Sequence, residues 1–279
     1  MTPIQAAMIE AALLGAVGGL ISVQVVVRRL PFFTLAMTHA TFPGVVLAAL
    51  AGLNLYLGAG AFGVLIVLGV LLLSRRPDHD TTTAIGIVLS GGFALGVVLM
   101  SSRDGFTKDL TAYTVGQILT VGPPDLIAVA AVGLLVTALL VVAGPRLSFR
   151  AFDPVGYAAA GHRPALLDLA LLLTIEAVIV VAVPAVGAIL AVAVLVAPAA
   201  IARLWTHNIV AMTVLAVLAA VGCGVAGVWI STRYDVATGG TITVATGVAF
   251  AASLLATAGS RVNLRRPPAP SRRGPPPRE

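Results

Sequence analysis

The sequence predicts an all-α, polytopic membrane protein, and three observations support that fold class. Of the 279 residues, 59% are hydrophobic and only 10% are charged, whereas a soluble domain carries about a quarter charged residues to cover its surface. The mean hydropathy is +1.05. Apolar runs of about 20 residues, the length of a helix that crosses a membrane, recur along the chain. These features exclude a soluble globular protein, and the 5% aromatic content further disfavours a nucleic-acid partner.

About nine transmembrane helices are expected. The apolar runs cover residues 6–27, 35–53, 59–73, 84–101, 125–143, 165–183, 186–202, 209–230 and 241–258. The third and seventh runs are short, and residues 110–122 form a loop, a re-entrant turn or a short helix. The first run lacks the positively charged start and the clear cleavage site of a signal peptide, so we expect it to be retained as a helix.

Positive charges divide unevenly between the two sides of the membrane. If the loops alternate, one side carries 14 of the 17 lysines and arginines and the other carries 3. Because the cytoplasmic side is the positive one, this split predicts an extracytoplasmic N terminus, a cytoplasmic C terminus and an odd number of crossings of the cytoplasmic (inner) membrane.

The chain divides into a transmembrane domain, residues 1–260, and a tail, residues 261–279. The tail contains six arginines and many prolines, a composition typical of disordered segments. We expect it to lie in the cytoplasm, where it is either simply solvated or in contact with anionic lipid headgroups.

Several chemistries are excluded by missing motifs. A single cysteine, Cys223, rules out a disulfide within the chain and a thiolate metal cage, so we interpret it as a small buried hydrophobe. The GxxxxGK[ST], HExxH and GxSxG motifs are absent, which argues against ATP hydrolysis, zinc-protease and serine-hydrolase activity by this chain.

Two glycine pairs have the four-residue spacing that lets helices approach closely in lipid. Gly15 and Gly19 form one pair, and Gly92 and Gly96 form the other. Chance is the alternative explanation in a chain that contains 29 glycines.

The stretch AMTHATFPG places a histidine in an apolar run. His39 lies about ten residues past Arg29, roughly 15 Å along a helix and near mid-membrane. Pro43 removes a backbone hydrogen bond and can kink the helix, which frees carbonyl groups to line a polar cavity. Neutral imidazole binds zinc and other divalent first-row metals. His39 is therefore either a metal ligand in a translocation path or a histidine hydrogen-bonded to a neighbouring helix.

Acidic residues provide further candidates. Glu176 lies within the apolar run 165–183 and is either a path residue, as a proton site or transient metal ligand, or a protonated or paired carboxyl group. Asp104, Asp109 and Asp125 are expected on the outer side, where they either receive a cation or a docking protein or are simply solvated. Asp78, His79 and Asp80 resemble a ligand cluster, but their cytoplasmic loop favours a helix cap at Asp80.

The longest cytoplasmic loop contains a predicted short helix. In RAFDPVGYAAAGHRPALLD, Asp153 is expected to cap the helix and Pro154 to occupy its first turn, while Gly161 and Pro164 end it. A short helix outside the membrane is either an ordinary connector or the element that seats a permease on an ATPase.

Four stretches carry a family resemblance that covers most of residues 10–258 in order. They are AMTHATFPGVVLAAL; AIGIVLSGGFALGVVLMSS with DLTAYTVGQILTV; FDPVGYAAAGHRP; and VGAILAVAVLVAPAAIARLWT with ISTRYDVATGGTITV. The first is similar to an Asp-Ala-Leu-Ser-His-Ala…Pro-Gly segment, and the third to a Phe-Asp-Pro segment before a cytoplasmic helix. Together they resemble the membrane permeases of ABC importers for zinc, manganese and iron(II), the zinc-type permease family.

The resemblance implies a fold, partners and site residues. The fold would be the all-helical one of cobalamin and siderophore importer permeases. Two copies of the chain would pair with two copies of a separate ATPase, and an extracytoplasmic binding protein would deliver the metal. His39 falls on the family's membrane histidine, a proposed ligand in the path. The ATPase-coupling residues carried over by position are Phe152, Asp153, Pro154, Gly161 and His162. The chain itself would bind no cofactor.

One position departs from the family pattern. The family has an aspartate four residues before the histidine, on the same helix face, and this chain has Leu35 there. Either another residue such as Glu176 substitutes, or the site is weaker or selects a different metal. Because a lost carboxylate removes a hard oxygen ligand, the departure favours zinc over manganese.

The sequence therefore predicts the permease subunit of an ATP-driven importer for a divalent metal, with zinc favoured, and no enzyme activity of its own. Three alternatives remain. They are a proton- or sodium-coupled secondary carrier that uses Glu176, an ABC permease for manganese or iron, and one for a metal chelate.

Overall fold

The architecture is all-helical, as predicted. A computed structural model describes residues 2–73, 81–101, 116 and 118–264, and no strand occurs in these ranges. Their helices are α1 (Pro3–Val27), α2 (Pro31–Ala40), α3 (Phe42–Ala51), α4 (Leu55–Leu73), α5 (Thr81–Ser101), α6 (Pro123–Phe152), α7 (Pro154–Ala159), α8 (Pro164–Trp205), α9 (Ile209–Tyr234) and α10 (Thr238–Leu264). A 3-10 turn, Ile118–Thr120, precedes α6.

The described residues contain eight helical segments that are long and apolar enough to cross a membrane, close to the nine expected. The difference arises in α8. The expected runs 165–183 and 186–202 belong to this one element, which is broken at Gly187, where φ is 83° and ψ is 161°. Its first part, Pro164–Ala188, has the length of a full span, whereas its second part, Leu190–Trp205, is shorter.

The first glycine pair lets α1 lie close to α9. A Cβ at Gly15 would lie 3.0 Å from the backbone of Ala220, and one at Gly19 would lie 2.6 Å from the Cα of Val217. Both distances are shorter than ordinary van der Waals contact. The predicted role of the pair in close helix packing is confirmed, and it makes α1 a central helix of the bundle.

The second span is broken, as its proline predicts. Helix α2 ends at Ala40, and α3 begins again at Phe42, so Pro43 occupies a first turn in which its missing N–H is harmless. The second glycine pair covers this break from α5. A Cβ at Gly92 would lie 3.1 Å from the Cα of Ala40, and one at Gly96 would lie 3.1 Å from the nitrogen of Pro43.

A second break lies where two glycines meet. Gly116 has a φ of 75° and Gly187 a φ of 83°, both in the left-handed region that favours glycine. A Cβ at Gly116 would lie 2.8 Å from the Cα of Val186, so the chain before the 3-10 turn lies against the break in α8. Residues 102–115 and 117 are outside the described residues. Whether the segment 110–122 as a whole forms a loop, a re-entrant turn or a short helix therefore stays a prediction.

Helix α10 continues to Leu264, past the expected domain boundary at residue 260. Residues 265–279, which make up most of the predicted tail, lie outside the described residues. The division into a transmembrane domain and a disordered basic tail stays a prediction.

Candidate functional site

His39 lies at the break in the second span. It is the penultimate residue of α2, and its ring packs edge-on against Phe93 of α5 with the ring centroids 5.4 Å apart. The Nδ1 atom is buried and has no hydrogen-bond partner. The alternative of a histidine anchored to a neighbouring helix therefore finds no support at this nitrogen, which remains free to bind a ligand.

The face of α2 that carries His39 is not covered by the rest of the chain. Phe32 is 39% exposed and Leu35, one turn before the histidine, is 37% exposed, while His39 itself is partly exposed. Within the described ranges, no group of three or more His, Cys, Asp or Glu side chains could hold a metal ion. A metal site at His39 would thus need ligands from outside the described residues or from the cargo's own water shell.

Glu176 is enclosed in the middle of the bundle. Its side chain is only 2% exposed, and neither carboxylate oxygen has a hydrogen-bond partner. The carboxyl group packs against Gly63 of α4, because a Cβ at that glycine would lie 2.6 Å from the Glu176 Cδ. The alternative that Glu176 is paired with another side chain therefore finds no partner in the described residues. Glu176 packs against Gly63, whereas His39 packs against Phe93.

A cavity of about 300 Å³ lies between α3, α4, α8 and the 3-10 turn, and its lining includes Thr41, Tyr56 and Ile179. Ile179 lies three residues after Glu176 in α8, but Glu176 itself does not line the cavity. The cavity thus lies at the end of α4 that carries Tyr56, and Thr41 is two residues from His39 along the chain.

Glu10 is a buried carboxylate that the sequence interpretation missed. It lies in α1 with a fully buried side chain, and neither of its oxygens has a partner. The criterion that singled out Glu176, an acidic residue inside an apolar run, also applies to Glu10 in the run 6–27.

Two further polar groups lie near Glu10. The carboxylate of Asp125 accepts hydrogen bonds from the Tyr56 hydroxyl and, at 2.8 Å, from the Gly122 backbone N–H. Glu10 is within range of electrostatic interaction with both Asp125 and Tyr56. Asp104 and Asp109, the other two outer aspartates, lie outside the described residues, as do Asp78, His79 and Asp80.

The predicted short helix is present as α7. Asp153 caps it, its Oδ1 accepting a hydrogen bond from the Gly156 N–H at 2.7 Å, and Pro154 occupies the first turn. The helix ends before Gly161, whose φ is 77°. The local interpretation of this loop from its capping and breaking residues is confirmed.

Aromatic contacts hold α7 to the end of α6. Tyr157 is only 3% exposed and lies between Phe149 and His162, with ring centroid distances of 5.5 Å and 4.8 Å. Phe152, the last residue of α6, and Val155 of α7 are 69% and 78% exposed. The junction of α6 and α7 thus has a packed side at Tyr157 and exposed apolar side chains at Phe152 and Val155.

An ionic cluster lies at the same end of the bundle. Asp168 of α8 pairs with Arg28 at 2.6 Å and with Arg150 at 3.2 Å. Arg28 also donates to the Leu147 carbonyl at 3.1 Å. These bonds tie the ends of α1 and α6 to the start of α8, beside a cavity of about 910 Å³ that also contacts Arg29 and Arg203.

Comparison with known proteins gives a consistent result. The model of the ABC 3 transport family matches residues 1–257. The manganese transport system membrane protein MntC of Halalkalibacterium halodurans is 33% identical, over 89% of this chain and 85% of its own length. The zinc transport system membrane protein TroC of Treponema pallidum is 33% identical, over 87% of this chain and 85% of its own length.

Two solved structures share the fold. PsaBC from Streptococcus pneumoniae, solved in complex with Fab, superposes with a TM-score of 0.83 at 29% identity, over 91% of each chain. An inward-facing metal-chelate type ABC transporter superposes with a TM-score of 0.73 at 18% identity, over 92% of this chain and 85% of its own. At that lower identity the likeness shows the fold alone, and it agrees with the predicted similarity to chelate-importer permeases.

Proposed function

The chain belongs to the ABC 3 transport family, and from that premise we propose that it is the membrane permease of an ATP-driven importer for a divalent metal ion. The observation that carries the proposal is the family match, which spans residues 1–257 and so covers the whole bundle rather than one motif. As a multi-pass membrane permease, the chain is not itself an enzyme. Its place would be the cytoplasmic membrane, with the N terminus outside and the C terminus in the cytoplasm.

His39 is the residue we assign to the cargo near mid-membrane. The support is its buried, unpartnered Nδ1 and its position on a face of α2 that the chain leaves uncovered. A second copy of the permease, placed against that face, would bring a second His39 toward the first. The uncovered face of α2 is the observation that supports this homodimer, and a site with few ligands suits transport because a tight site would slow release.

Glu176 is a second candidate for the path, as a transient ligand. Its support is its buried position in the bundle, without a hydrogen-bond partner for either carboxylate oxygen. A carboxylate at this depth is costly, and a passing cation would offset that cost.

We propose zinc as the transported metal and manganese as the second candidate. Zinc is favoured by the residues, because Leu35 leaves His39 without the carboxylate that a manganese site would need more. Manganese is the second candidate, since MntC is named for that metal as TroC is named for zinc.

We assign α7 as the element that contacts the ATPase partner. The exposed apolar side chains of Phe152, at the end of α6, and Val155, in α7, suit a groove on another protein, while Asp153 and Gly161 fix the ends of α7. His162 contributes by packing on Tyr157. Pro154 starts the helix. An extracytoplasmic metal-binding protein would deliver the cargo at the opposite end, and bilayer lipid would cover the remaining apolar surface.

The test is reconstitution with and without the ATPase. The permease is placed in proteoliposomes with its ATPase and binding protein, and zinc and manganese accumulation is measured after ATP is added on the ATPase side. We expect uptake that requires ATP and stops with an ATPase that binds but does not hydrolyse it. Uptake by the permease alone, driven by a proton or sodium gradient, would overturn the proposal in favour of a secondary carrier.

A further inference from the structure

The cavity of about 910 Å³ beside Asp168 has an excess of positive charge on its wall. Among the described residues that line it, the side chains charged at neutral pH are one aspartate and four arginines, namely Asp168, Arg28, Arg29, Arg150 and Arg203. Four positive charges and one negative charge leave a net charge of +3. None of these five residues has a part in the metal path or the ATPase contact assigned above.

Two of the arginines share the single carboxylate. Arg28 and Arg150 both pair with Asp168, at 2.6 Å and 3.2 Å, and the side chain of Arg28 is only 10% exposed. The Nε atoms of both arginines are buried and have no hydrogen-bond partner. A buried charge is costly unless it is paired. The cluster therefore leaves one positive charge and two N–H donors without a partner.

The other two arginines form an exposed basic rim of the cavity. Arg29 and Arg203 are exposed, and neither has a salt bridge within the described ranges. Arg29 has a φ of 58°, a left-handed conformation that glycine adopts at lower cost. The chain thus places a guanidinium group on the rim at a position whose backbone favours glycine.

Behind the basic rim, the wall of the cavity is apolar. Phe33, Val70, Ile85 and Leu171 line it and are buried. Val70 lies near the end of α4 and Ile85 near the start of α5, two helices that the rest of the chain leaves largely uncovered. The cavity therefore combines unbalanced guanidinium groups with an apolar interior, beside helices that would face lipid.

We propose that this cavity binds a phosphate group, supplied by an anionic phospholipid of the cytoplasmic leaflet. Guanidinium groups bind phosphate oxygens through paired hydrogen bonds, and basic pockets between membrane helices on the cytoplasmic side suit anionic headgroups. An acyl chain would cover the apolar wall, which a free phosphate ion would leave exposed to water. From the proposed function, the inference takes only the orientation that puts this end of the bundle in the cytoplasm.

The test measures lipid binding to the full-length permease, alone and assembled with its ATPase. The purified protein is titrated with phosphatidylglycerol or phosphatidylcholine, and native mass spectrometry gives the dissociation constant of the first bound lipid. Inorganic phosphate and glycerol phosphate are then added as competitors, which separates a lipid from a soluble phosphate.

Two variants each remove one guanidinium group of the basic rim. Arg203→Gln removes a side chain that has no salt bridge in the described ranges. Arg29→Gly leaves a residue that suits the left-handed backbone, so folding should be retained. The matched control is Arg146→Gln, because Arg146 is an exposed arginine of α6 near the same end that does not line the cavity.

We expect phosphatidylglycerol to bind more tightly than phosphatidylcholine, with or without the ATPase. Arg203→Gln and Arg29→Gly should each raise the dissociation constant of phosphatidylglycerol about fivefold, the scale of one arginine beside an anionic membrane surface. Arg146→Gln should leave it unchanged, and the soluble phosphates should not displace the lipid.

Equal dissociation constants for Arg203→Gln and Arg146→Gln would overturn the inference, and so would equal binding of the two lipids by wild type. If Arg203→Gln fails to fold, Arg29→Gly takes its place in that comparison. Displacement by inorganic phosphate or glycerol phosphate would overturn the lipid as the source of the phosphate. Lipid binding that the ATPase abolishes would assign the cavity to the ATPase instead. A chain that binds phosphatidylglycerol through Arg203 but imports no metal would refute the proposed function and keep the site.

Discussion

Substituting Gly63 by alanine tests the contact between α4 and Glu176. The added Cβ would lie 2.6 Å from the Glu176 Cδ and 2.9 Å from its Cγ, well inside van der Waals contact. The side chain is 2% exposed, so the carboxyl group cannot relieve the clash by turning into solvent. Overpacking of this kind costs about 2 kcal/mol, which corresponds to a fall in Tm of roughly 5 °C for a chain of this size.

The chain offers a matched control on the same helix. Gly60 lies three residues before Gly63, and a Cβ there would meet nothing within 4 Å. Both substitutions gain the helix propensity of alanine, worth up to about 1 kcal/mol. The difference between Gly60→Ala and Gly63→Ala therefore isolates the clash with Glu176.

The assay is thermal unfolding of the assembled transporter in nanodiscs, followed by metal uptake. We expect Gly63→Ala to lower both Tm and uptake, and Gly60→Ala to lower neither. In a Glu176→Ala background, the Tm difference between the two alanine variants should vanish, because the clashing group is gone. Equal Tm values for Gly60→Ala and Gly63→Ala with Glu176 intact would refute the packing on which our assignment of Glu176 depends.

The ionic cluster at Asp168, the α7 cap at Asp153 and the departure from the family pattern at Leu35 can each be tested by substitution. Asp168→Ala leaves Arg28 facing another arginine without its 2.6 Å partner and should cost about 3 kcal/mol, seen as a lower Tm; Asp168→Glu should cost less. Asp153→Ala removes the α7 cap, worth about 1 kcal/mol, so it should lower Tm by only about 2 to 3 °C but cut the coupling of ATP hydrolysis to uptake. Asp153→Asn, which can still cap, should retain coupling, and equal coupling in both variants would contradict the assigned role. Leu35→Asp places a carboxylate one turn before His39 and should shift uptake in mixed-metal competition toward manganese; an unchanged metal ratio would count against that pairing.

Much of the fold follows from local rules. The apolar runs predict the spans because a helix must be about 20 residues long to cross a bilayer, and the caps and breakers of α7 act within a few residues of one another. The break in the second span at Pro43 is predicted because a proline removes a backbone hydrogen bond within its own helix. The break in α8 at Gly187 lies close to the predicted boundary between the runs 165–183 and 186–202. The packing of Gly116 against this break is not predicted, because it joins residues far apart in the sequence.

The candidate site was less predictable than the fold. An ionisable residue in an apolar run is itself a signal, which predicts His39 and Glu176 and applies equally to Glu10. The contact of Glu176 with Gly63 joins residues more than a hundred positions apart, and the hydrogen bond of Tyr56 to Asp125 joins α4 to α6. Such pairings depend on helix packing, which one sequence does not specify.

The most direct test of the central claim is the metal content of cells that depend on this chain. A strain that lacks it is grown under metal limitation and complemented with wild type or His39→Ala, with equal amounts of both in the membrane, and zinc, manganese and iron are measured by mass spectrometry. We predict that wild type restores the cellular content of one divalent metal, with zinc the favoured candidate, and that His39→Ala does not. Restoration by His39→Ala to the wild-type level would contradict the assigned path, and no restoration of any metal by wild type would contradict the importer itself.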